Sequence, residues 1–70
     1  MINTTQRQRE QAKEVLRSEL KHLYRDYYEV IDDIDDGKRA GDARKVKHFT
    51  NSAMVLTGKI KAFELVIEAL

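Results

Sequence analysis

From Val46 onward the apolar residues fall at Val46, Phe49, Ala53, Leu56, Ile60, Phe63, Ile67 and Leu70, alternating steps of three and four without a miss. Such a stripe stays on one side of an α-helix, and its alternation marks a helix packed nearly along a second one. The first half repeats the pattern at Leu16, Leu20, Leu23, Tyr27, Val30 and Ile34. No alternation with period two lasts more than a few residues. With no proline, three glycines and a good supply of helix formers, the chain reads as all-α.

The ends of the two helices are marked as well. Thr5 followed by Gln8 has the spacing of a capping box, with Thr4 as a rival cap. Gly37 suits the left-handed residue just past a helix, and Asp42 suits the cap of the next one. These signals predict one domain over residues 1–70, with a first helix near 5–36, a turn near 37–41 and a second helix near 42–70. Each helix would be roughly 45 Å long at 1.5 Å per residue.

So short a connection makes the helices antiparallel. Folding the chain about residue 40 sets Ile34 against Val46, Val30 against Phe49, Tyr27 against Ala53, Leu23 against Leu56, Leu20 against Ile60 and Leu16 against Phe63. Every layer is apolar on both sides. The large Tyr27 meets the small Ala53.

The same fold accounts for the stretch between Glu29 and Phe49, where acid abuts base. Residues 26–37 carry six acids and no base, whereas residues 38–48 carry five bases and one acid. Antiparallel helices bring the two blocks side by side, so pairs such as Asp33 with Arg44 or Lys45 are expected. Exposed pairs contribute about 0–1 kcal/mol each and chiefly specify register. The acid at the end of the first helix opposes the helix dipole.

Size and composition exclude much. At 70 residues a single core supplies only a few kcal/mol, and small domains usually add a disulfide, a metal or another subunit. There is no cysteine, which removes disulfides, thiolate metal sites and cysteine nucleophiles and suits a cytoplasmic protein. No apolar run approaches the length of a membrane span, and the N-terminus lacks the apolar core of a secretion signal. Charged residues make up 36% of the chain, yet the net charge is only +1.

Sites with chemistry fail on spacing. A calcium loop turning at Gly37 would place Ile34 and Ala43 where acidic ligands belong. The TGKI segment, residues 57–60, resembles the end of a phosphate-binding loop, but the upstream glycine is Ala53 and no strand precedes it. His22 and His48 lie several turns apart, and neither Ser18 nor Ser52 has a histidine and carboxylate beside it. A two-helix hairpin offers no catalytic pocket. The expectation is a protein that is not an enzyme, with no catalytic residue, cofactor or metal.

Two surface features remain on the first helix. Arg9, Lys13, Arg17, Lys21 and Arg25 recur every fourth residue. Such a row could track phosphates, although Glu10 and Glu14 are placed to pair with Lys13 and Arg17 and no aromatic interleaves the row. Asp32, Asp33 and Asp36 form an acidic patch that could imitate nucleic acid.

The second helix has a further apolar stripe. Val55, Gly58, Ala62, Leu65 and Ala69 also step by three and four, roughly 160° around from the seam, with Met54 and Val66 beside them. A helix apolar on two opposite faces is built to be buried on both, and the first helix covers one. The sequence therefore predicts self-association, most simply a homodimeric four-helix bundle with the second helix central. The function expected is protein–protein contact, as a small adaptor, regulator or inhibitor. The alternatives are a nucleic-acid-binding module using the basic row and the basic block after the turn, or an acidic-patch inhibitor of a nucleic-acid-binding protein.

Overall fold

In a computed structural model, residues 4–70 form two helices, α1 from Thr4 to Ala40 and α2 from Ala43 to Ala69, packed antiparallel as a hairpin. Among the described residues there is no strand. All fourteen seam positions named from the spacing are buried or half-buried, with Ala53 and Ile60 the most enclosed apolar side chains. Tyr27 and Ala53 border one groove and Leu16 and Phe63 another, and Val46, expected against Ile34, packs at Gly37. Thr4 and Thr5 are both already helical, and the capping of α1 lies outside the described residues.

The bend differs from the sequence expectation. Gly37 does not end α1; the helix runs a further turn to Ala40, and Gly41 takes the left-handed conformation at φ 68°. The Gly41 amide donates to the Lys38 carbonyl (3.2 Å), and the Asp42 amide donates to the Gly37 carbonyl (2.9 Å). That pair of bonds closes a helix around a glycine by satisfying carbonyls the last turn leaves free. Gly37 is needed for another reason: it is buried against α2, where a Cβ would lie 3.0 Å from Val46 Cγ2.

Asp42 serves both helices. Its amide closes α1, while its extended backbone and its carboxylate, accepting from the Lys45 amide at 3.0 Å, cap α2. The longer α1 also places Lys38 and Arg39 in its last turn, where positive charge suits the helix dipole and offsets the acid before it.

The expected pairing of Asp33 with Arg44 or Lys45 does not form. Among the described residues the ion pair within 4 Å is Glu10 with Lys13, at 3.9 Å. The later bend explains it. The Lys45 stem packs beside Gly37, 3.4 Å from where its Cβ would be, and Asp33 lies a full turn further along α1.

The hairpin measures 61 × 15 × 11 Å with a radius of gyration of 16.9 Å, against about 11 Å for a compact chain of this length. No described side chain is completely enclosed. A lone helix pair can bury only the stripe where its members meet.

Candidate functional site: the uncovered face of α2

α2 contrasts sharply between its two sides. Facing α1, Ala53 and Ile60 are 9% and 8% exposed; facing away, Val55 is 58% and Leu65 57% exposed. Gly58, Ala62 and Ala69 on the same outer stripe are exposed too, and Met54 and Val66 beside it are 68% and 48% exposed. The residues assigned to self-association thus share one continuous outer face, and none of the described residues covers it.

Gly58 is the least expected residue there. A mid-helix glycine costs about 1 kcal/mol relative to alanine. Gly41 adopts a positive φ and Gly37 admits Val46, so each has a cause within the hairpin. An added Cβ at Gly58 would meet nothing within 4 Å.

The outer face continues into a groove between the helices, lined by Tyr27, Ile31, Ala53, Met54, Thr57 and Gly58 among others, with a volume of about 670 Å³. Thr57 turns its hydroxyl back to the Ala53 carbonyl at 2.8 Å, and Thr50 and Lys38 also line the groove. On the other side Asp26, His48 and Ser52 border a smaller depression with Val55, so Ser52, against the sequence expectation, does have a histidine and a carboxylate beside it. The Ser52 hydroxyl donates to the His48 carbonyl at 3.3 Å.

The charged candidates on α1 are arranged differently. Each four-residue step overshoots a 3.6-residue turn by about 40°, so the basic row winds around the helix. Arg9 and Lys13 sit at the open end near Leu70, and Lys13 is held by Glu10. By Arg25 the row has turned about 160° from Arg9. Arg17, Lys21 and Arg25 are exposed, each set about 40° around the helix from the one before. The five cations therefore form no single stripe. Asp32 and Asp36 are exposed on the outward side of α1 and Asp33 is half-buried on its flank. Among the described residues no three histidines or carboxylates gather as a metal site.

One contact escaped the sequence reading. The Tyr24 hydroxyl donates to Glu64 Oε1 across the two helices, and that bond holds the phenol pKa above the usual tyrosine range, with small additions from desolvation and nearby negative charge. The residues lie far apart in register. Side chains on a helix lean toward its N-terminus, however, so in an antiparallel pair these two lean toward each other.

Compared with protein-family models, with curated proteins and with solved structures, the chain matches none.

Proposed function

We propose that this protein is a non-enzymatic interaction module that works as a helical homo-oligomer, its hairpins joined through the outer face of α2 into a four-helix bundle. The carrying observation is Gly58, a costly mid-helix residue with open space where its Cβ would lie, centred on an exposed stripe of Val55, Ala62, Leu65 and Ala69. A partner helix crossing there gives the glycine a purpose, because its backbone can approach closely.

The area supports the same reading. The hairpin exposes 5699 Å², whereas a compact monomer of 8.2 kDa exposes about 4,500 Å². The excess exceeds the roughly 800 Å² that each partner loses in a standard interface. Contact with further proteins, as an adaptor, regulator or inhibitor, would use the charged surfaces of α1 that the bundle leaves free. No helix among the described residues is long and apolar enough to cross a membrane. The lack of cysteine leads us to place the protein in the cytoplasm.

Light scattering on the parent and on Leu65→Glu tests this. The parent should be at least dimeric at high micromolar concentration, and the variant, which buries an unpaired charge in the interface, should be monomeric yet helical. A monomeric parent, or a variant that assembles equally well, overturns the reading. The basic row remains the second reading, and its winding path weighs against it. Nucleic-acid binding that falls steeply with added salt would favour it.

A further inference from the structure

We infer that the partner on the outer face of α2 is a second copy laid antiparallel and flush along its length, with the two-fold axis passing near Thr57 between Val55 and Gly58. This inference rests on the self-association proposed above and adds its orientation and register.

Three observations converge. Charge distinguishes the orientations first. Lys47, Met54, Lys61 and Glu68 recur at seven-residue steps on one flank of the outer stripe, and Lys45, Ser52, Lys59 and Val66 do so on the other. Parallel helices set one flank against the opposite flank of the partner, whereas antiparallel helices set each flank against itself. The parallel arrangement would therefore face Lys47 and Lys61 with a flank containing no acid. The antiparallel one brings Lys47 level with Glu68 of the partner subunit, and the symmetry repeats the pair.

Volume sets the register. With the axis near Thr57, Val55 enters the space over the partner's Gly58, which in the single hairpin is empty to 4 Å. The bulkier Leu65 packs over the partner's His48, which is exposed in the single hairpin. Sliding by one heptad toward the C-terminus instead stacks Lys61 and Lys59 on their own copies at the axis.

The net charge of the two ends agrees. Residues 26–48, at the bend end, carry seven acids and five bases; residues 4–25 and 49–70, at the open end, carry eight bases and five acids. Flush antiparallel hairpins lay the negative bend end of one along the positive open end of the other. A parallel pair would place like ends together.

The native chain has no cysteine, so a single spin label at Ala43→Cys, the first residue of α2 and off the stripe, reports the geometry directly. The inter-label distance should be about 40 Å for the flush antiparallel pair and about 50 Å for the slid one. A parallel pair would give under about 20 Å, and either of the last two results overturns the arrangement. A charge exchange tests the rim. Lys47→Glu or Glu68→Lys alone should raise the dimer dissociation constant about fivefold, and the double reversal should restore it to within about twofold. Failure of the double variant to recover overturns the pairing of Lys47 with Glu68. A dimer with the wrong distance sinks only this arrangement, whereas a monomeric parent sinks the self-association beneath it.

Discussion

The inner and outer faces of α2 have the same three–four period, and only one is covered. On the inner face Ile60 and Ala53 close against α1; on the outer face Val55 and Leu65 stand in solvent. The difference shows what periodicity encodes. It states that a face is shaped for another helix, and leaves open whether that helix belongs to the same chain. The glycines divide the same way: Gly37 is occupied by Val46, and Gly58 faces open space.

Removing bulk from each face in turn separates their roles. Ile60→Ala should have the largest effect, costing about 2–5 kcal/mol, enough in a chain this small to show as outright loss of helix by circular dichroism. If Ile60→Ala melts like the parent, the inner face is not the core. A smaller and more diagnostic effect comes from the glycines. Gly37→Val drives a branched side chain into Val46 and should destabilise by about 1–3 kcal/mol at any protein concentration. Gly58→Ala should do the opposite in dilute solution, stabilising by up to about 1 kcal/mol through helix propensity, while weakening assembly when concentrated. Denaturant melts at low and high concentration separate the two; equal behaviour of both variants would erase the distinction between faces.

The smallest effect concerns the link from Tyr24 to Glu64. Because the folded hairpin holds the Tyr24 phenol above its ordinary pKa near 10, its contribution is fully present below pH 10 and fades as the pH rises through the folded value. The group is exposed, so the loss should be slight. Tyr24→Phe should flatten that part of the pH profile. An unchanged slope in the variant would mean that the bond adds nothing.

The fold was legible because its dominant signal is long and redundant. Fourteen seam residues agree on one axis, and Asp42 names its own helix start. The bend was misplaced because glycine serves two purposes. Turn chemistry favours Gly37 as readily as Gly41, and only the approach of Val46 in three dimensions tells a glycine that yields space from one that turns the chain. The ion pairs of Asp33 failed with it, since they inherited the bend's position. Tyr24 and Glu64 were invisible to a register counted between Cα levels, because their link depends on the lean of long side chains. The outer stripe was readable from its spacing, but its exposure depends on how many helices the chain possesses.

The two-residue bend has a kinetic consequence. Gly37 and Val46 are among the nearest in sequence of the pairs that touch across the hairpin, and the loop between them is about the cheapest the chain can close. Pairs further along enclose ever longer segments, until Leu16 and Phe63 enclose the greater part of the chain. Structure should thus form at the bend and close toward the open ends like a zipper. Gly41 and Asp42, which add almost nothing to the buried surface, would then govern how quickly everything else finds its place.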